Sequence, residues 1–153
     1  MARTDAAGVD ALLGRRERVT GDGASAGAMA LTGDPRRIPC EPGIPGVGKF
    51  FGPYCYRCPF ELSYPTCGLE CARFARQTIE HAAAEAPAAL MMEAMQGNGG
   101  MIDFPAEFHQ AMRRLCDVLG MLLVYDEIQN GFGRVGEWFA SSLYGVEPDI
   151  MVI

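Results

Sequence analysis

Two short clusters of acid and amide side chains stand out in this chain. One holds Glu93 and Gln96 within "MEAMQGNGG"; the other holds Asp126, Glu127, Gln129 and Asn130 within "VYDEIQNGFGRVGEW". Each follows an apolar run and passes into glycines. A carboxylate at the end of a buried strand is half desolvated, which is costly unless a cation, a metal or a protonated ring nitrogen pairs with it. Asp126 could instead cap the turn that follows, since Asp is favoured in turns and at helix starts. Glu127 and Arg134 fit a structural ion pair that shapes the glycine-rich loop.

The cysteines form a second constellation. Cys55, Cys58, Cys67 and Cys71 are spaced C-x2-C-x8-C-x3-C in "YCYRCPFELSYPTCGLECA". Four thiolates at short spacing could hold zinc tetrahedrally; the other reading is a set of reduced structural thiols. A disulfide framework is disfavoured because nothing marks the chain as secreted. Cys40 and Cys116 lie outside the cluster, and Cys116 falls on the apolar side of its segment, where it serves as a small hydrophobe. His81 and His109 sit on helical segments away from any motif and read as surface or packing residues.

The elements that must position these groups follow from periodicity. Residues 1–24 show no sustained period and are left irregular and unassigned, and 25–153 read as part of one large domain. "SAGAMALTG" could open a short helix. Pro and Gly recur every few residues from Asp34 to Phe60, which predicts a long extended loop, with the Cys-rich part over 53–72. Leu69, Ala72, Phe74, Ala75 and Ile79 are helically spaced over 69–86. "AALMMEAMQ" is an apolar run, and "PAEFHQAMRRLCDVLG" has Pro105 at its first turn, Phe108, Met112, Leu115, Cys116 and Leu119 on one face, and Gly120 as its stop. "MLLVYDE" fits a strand buried on both faces. A short helix around "EWFASSLYG" and a strand at "PDIMVI" complete the series. Strand, helix, strand, helix, strand is the order of an α/β fold with a parallel sheet and crossover helices, in which ligands bind outside the carboxyl ends of the strands.

Composition bounds the partners. The chain has 153 residues, 49% hydrophobic and 21% charged, with net charge -6. That suits a globular domain or a large piece of one. An acidic balance without a basic stripe argues against nucleic acid. No apolar run is long enough for a membrane span, and no secretory signal opens the chain, so the cytoplasm is the expected location. Lys49 is the one lysine among 13 basic residues, leaving a single candidate for any amine nucleophile.

The segment "LLVYDEIQNGFGRVGEWFASSLYGVEPDIMVI", with "MEAMQGNGGMIDFPAEFHQAMRRLCDVLG" before it, resembles the class III (omega) aminotransferases, pyridoxal-phosphate enzymes of fold type I. The likeness runs from about Leu90 to the end and implies part of that family's large domain. In the resemblance, Asp126 keeps the cofactor's pyridine nitrogen protonated, Ile128 lies against the ring and Gln129 hydrogen-bonds its phenolic oxygen. Glu93 lies on the substrate side. The expected reaction moves an amino group from an amine or amino acid to a 2-oxo acid, in a homodimer.

Two departures qualify that expectation. The family's Schiff-base lysine follows the "PDI" strand and is not in this chain, so the chain alone is expected to be inactive; Lys49 has no motif context to replace it. "GASAGAMALTG" resembles the family's Tyr-His-Gly-x-(Ser/Thr) segment, yet Gly21 and Asp22 stand where the aromatic and His belong, and Ala24 follows Gly23. The alternative reading is a catalytically inactive, truncated relative, with the Cys loop as a zinc-binding structural module.

Overall fold

The computed structural model describes residues 25–33, 43–82 and 87–153. The expectations for residues 1–24, including Gly21, Asp22, Gly23 and Ala24, and for Cys40 lie outside these.

Helix α1 (Ala26–Leu31) begins at Ser25, whose side-chain oxygen accepts from the Ala28 amide at 3.3 Å, as an N-cap serine should. The Pro- and Gly-rich stretch that follows is loop over its described residues, apart from one 3-10 turn at Cys55–Arg57. It is nonetheless anchored. Phe50 is buried in the core, and Phe51 and Phe60 both pack on Phe74, with ring centroids 5.9 and 5.6 Å away. Helix α2 (Glu70–Ala82) carries surface ion pairs Glu70–Arg73 and Arg76–Glu80. Ala75 is its fully buried residue.

Strand β1 (Ala89–Glu93) leads to helix α3 (Ala106–Leu119) and then to β2 (Leu122–Asp126). Pro105 occupies the cap position just ahead of α3, and Gly120 ends the helix in the left-handed conformation at φ 69°, which glycine adopts without a Cβ clash. Phe108, Met112, Leu115 and Cys116 form the buried stripe of α3. Helix α4 (Ala140–Tyr144) and strand β3 (Ile150–Val152) follow. The strands pair in parallel in the order β1-β2-β3. This is the α/β architecture with parallel sheet and crossover helices that the sequence predicts.

The sheet departs from the expectation of strands buried on both faces. Leu90, Met92, Leu123 and Tyr125 point into the core, with β2 packed on α3, while Ala89 and Leu122 are exposed and Met91 and Val124 half-buried. On that second face Met91 and Val124 line a cavity shared with Lys49 and with Thr78 and Ile79 of α2, so it is only partly covered. The register sets Glu93 opposite Asp126, and Asp126 opposite Val152, so both acid clusters leave the sheet along the same carboxyl edge.

Candidate active site

The carboxyl edge of a parallel sheet is where side chains from separate strands converge. Glu93 and Asp126 end β1 and β2 there, 6% and 8% exposed. Each engages the backbone just downstream. Glu93 Oε2 accepts from the Gly97 amide at 2.6 Å, and Asp126 Oδ1 accepts from the Ile128 amide at 3.0 Å. The two readings of Asp126 therefore coexist: it is a buried carboxylate at the strand end and it caps its own turn.

The loops after the strands are tied to one another. Ala94 donates its amide to the Asp126 carbonyl at 3.4 Å, and Asn130 Nδ2 donates to the Met95 carbonyl at 3.2 Å. Gln129 lies over Gly97 so closely that a Cβ built there would stand 2.3 Å from Gln129 Oε1. Only glycine leaves room for that carboxamide. Gln96 uses Gly99 in the same way, a Cβ there falling 2.4 Å from its Cδ. The glycines after Gln96 thus have a packing reason that the bare sequence does not display.

Ile128 behaves unlike its neighbours. It is apolar, stands between a buried acid and a carboxamide, and is 51% exposed. An exposed apolar side chain therefore stands beside a buried carboxylate at the same sheet edge. Lys49 is elsewhere: it lines a cavity of about 510 Å³ with Ala89, Leu90 and Met91 of β1 and Val124 of β2.

Glu127 corrects a sequence expectation. It is fully buried, and its two carboxylate oxygens accept from the Ala140 and Ser141 amides at 3.1 and 2.8 Å, at the start of α4. The expected ion pair with Arg134 does not form; Arg134 is exposed, and the carboxylate is consumed by backbone donors that a helix start leaves unsatisfied. Periodicity could not have found this contact, because the loop that returns to α4 has no period.

Behind the edge, His109 is fully buried on α3, shares a 2.8 Å hydrogen bond with the Tyr125 hydroxyl through Nδ1, and stacks on Tyr144 at 3.9 Å. Burial pushes its pKa down to about 3, so the ring is neutral. It is a packing residue, as expected. The Tyr144 hydroxyl in turn donates to Asp103 Oδ1 at 2.5 Å.

The cysteine cluster shows free thiols. Cys55 is exposed, and Cys58, Cys67 and Cys71 are half-buried. Among the described residues no group of three or more His, Cys, Asp or Glu side chains is arranged to hold a metal ion. Burial pushes the Cys71 and Cys116 thiols up to about 11, which keeps them protonated. Nor is any described helix long and apolar enough to cross a membrane.

The family model for aminotransferase class III matches residues 21–153. Over 133 residues the chain is 36% identical to the leucine/methionine racemase of Thermococcus litoralis, covering 86% of this chain and 30% of that protein. It is 40% identical over 116 residues to the diaminobutyrate–2-oxoglutarate aminotransferase of Rhizobium meliloti, 72% of this chain and 24% of the relative. Its fold superposes on the thermostable (S)-enantioselective omega-transaminase from Thermomicrobium roseum with a TM-score of 0.78 at 33% identity, covering 88% of this chain and 30% of that one. An amine transaminase from an uncultivated Pseudomonas species, in its PLP-bound form, gives a TM-score of 0.73 at 31% identity, with 88% and 31% covered. The chain therefore spans less than a third of the length of these relatives.

Proposed function

Because this chain belongs to the class III aminotransferases, we propose that it forms part of the cofactor-binding domain of a pyridoxal-phosphate enzyme that moves an amino group from an amine or amino acid to a 2-oxo acid. The observation that carries the reading is the triad at the sheet edge: a buried Asp126, an exposed apolar Ile128 and a Gln129 seated over Gly97. Pyridoxal phosphate, when bound, supplies an electron sink for the carbon that bears the amino group.

The residues present fit that group. Asp126 holds a proton on the ring nitrogen, since a buried carboxylate stabilises an adjacent cation. Its hydrogen bond from the Ile128 amide keeps it oriented. Ile128 offers its exposed side chain to one ring face and excludes water there. Gln129 orients the ring through its phenolic oxygen. Glu93, fixed by the Gly97 amide, borders the substrate side. The working enzyme is proposed to be a homodimer.

The reading is tested by transplanting residues 90–153 in place of the matching segment of the Thermomicrobium roseum omega-transaminase. Transfer of a labelled amino group to a 2-oxo acid should survive the exchange and be lost on Asp126→Ala. Because one relative is a racemase, the same assay follows inversion of the donor's stereocentre. A chimera that folds and binds cofactor but performs neither reaction would overturn the proposal.

A further inference from the structure

Glu127 has a different task from its neighbours. It is fully buried, and its amide, carbonyl and carboxylate are all hydrogen-bonded, to the third strand and to the loop that follows β2. Its amide donates to the Val152 carbonyl of β3 at 2.9 Å. Its carbonyl accepts from the Asn130 and Gly131 amides at 3.0 and 2.7 Å. Its carboxylate receives Ala140 and Ser141 at the far end of the loop. One residue thus joins both ends of the loop to the third strand, and Ile128 and Gln129 lie within the turn it closes.

We propose that Glu127 is the positioning residue of this site: its carboxylate closes the 127–140 loop and so holds Ile128 and Gln129 where a ring on Asp126 meets them. The inference rests on the pyridoxal-phosphate reading for its ligand, but the closure itself does not.

The geometry requires a carboxylate in particular. Each oxygen serves a different amide: Oε2 takes Ala140 and Oε1 takes Ser141. Glutamine has the same shape but offers one acceptor and one donor, so its amino group would confront an N–H. Aspartate is one methylene short of the helix start. The loop is also tight at Gly131, where a Cβ would meet the Glu127 carbonyl at 3.0 Å and Phe139 Cδ1 at 3.2 Å. Neither Glu127→Gln nor Glu127→Asp is therefore a neutral replacement.

The chain's one tryptophan, Trp138, lies in this loop and is 73% exposed, so its emission anisotropy reports loop motion directly. The experiment compares the whole chain with Glu127→Gln and with Leu115→Ala, a core variant on α3 that disturbs stability away from the loop. The readouts are Trp138 anisotropy and amide exchange at Gly131, Ala140 and Ser141 in the chain, and binding of pyridoxal 5'-phosphate, by absorbance, in the omega-transaminase chimera carrying the same substitutions. Glu127→Gln should lower the anisotropy, speed exchange at the three amides and weaken cofactor binding by about tenfold, the loss expected for a buried hydrogen bond to a charged group. Leu115→Ala should lower the melting temperature without moving the other readouts. If the chimera with the native segment binds cofactor and its Glu127→Gln variant binds equally well, the positioning role is wrong. Equal effects of the two variants on loop exchange and affinity would reduce Glu127 to a general stabiliser and also overturn it. If the omega-transaminase chimera carrying native residues 90–153 fails to bind cofactor, the cofactor reading fails, whereas unchanged exchange in Glu127→Gln would refute the closure alone.

Discussion

Glu93 and Asp126 are the last residues of two neighbouring parallel strands and stand opposite each other in register, both buried. In a parallel pair, residues in register point to the same face, so two acids share one rim of the sheet. Each is turned into its own loop by a backbone amide, Gly97 for Glu93 and Ile128 for Asp126. The two carboxylates are thereby assigned to separate loops, and their substitutions should have separable consequences.

Asp126→Ala is expected to weaken pyridoxal 5'-phosphate binding by about tenfold or more, since it removes a charge-assisted contact in a desolvated place. Glu93→Ala should leave that affinity within about threefold, its role lying on the substrate side. Parallel titrations followed by cofactor absorbance check both. Equal losses would show that the two acids act on one group.

Gly97→Ala is expected to act through Gln129. The new methyl would occupy the space of the Gln129 carboxamide, a flexible end group that can swing aside, so stability should fall by only about 0.5–1.5 kcal/mol. Cofactor affinity should drop as far as in Gln129→Ala. The double variant should then lose no more than either single one, because both remove the same contact. Additive losses would sink this account.

His109 gives the chain a stability that depends on pH. Its folded pKa of about 3 lies below the ordinary 6.5, so the unfolded chain takes up the proton first as pH falls. The contribution is complete above pH 6.5 and is lost progressively toward pH 3, by up to about 1.4 kcal/mol per pH unit. The groups facing the ring are the Tyr125 hydroxyl and the stacked Tyr144, whose hydroxyl is bound to Asp103. Urea unfolding of His109→Phe between pH 6.5 and 5 should show a flatter pH dependence than the native chain, though a lower stability at neutral pH. An unchanged slope would place the titration elsewhere.

The thiols should separate by exposure. Cys55 is expected to react first with an aromatic disulfide reagent, and Cys116, buried and held protonated, only on unfolding. Mass mapping of the labelled sites against denaturant concentration reads this out. A zinc chelator should leave the rates at Cys55, Cys58, Cys67 and Cys71 unchanged; acceleration by chelator would reveal a bound metal.

The sequence by itself determined the alternation of strand and helix, the stripe of α3, the stop at Gly120 and the carboxyl-edge position of Glu93 and Asp126. These follow from local rules: apolar period, glycine at a left-handed position, and the right-handed crossover that brings successive strands parallel. The tertiary structure decided the rest. That Glu127 turns inward to α4 instead of pairing with Arg134, that Gly97 is small for the sake of Gln129 and that His109 is sealed between two tyrosines all depend on contacts between segments far apart in the chain. No local period encodes such contacts. They arise when a buried polar group must find whichever partner the packed chain brings within hydrogen-bond reach, and that partner exists only once the loops have closed.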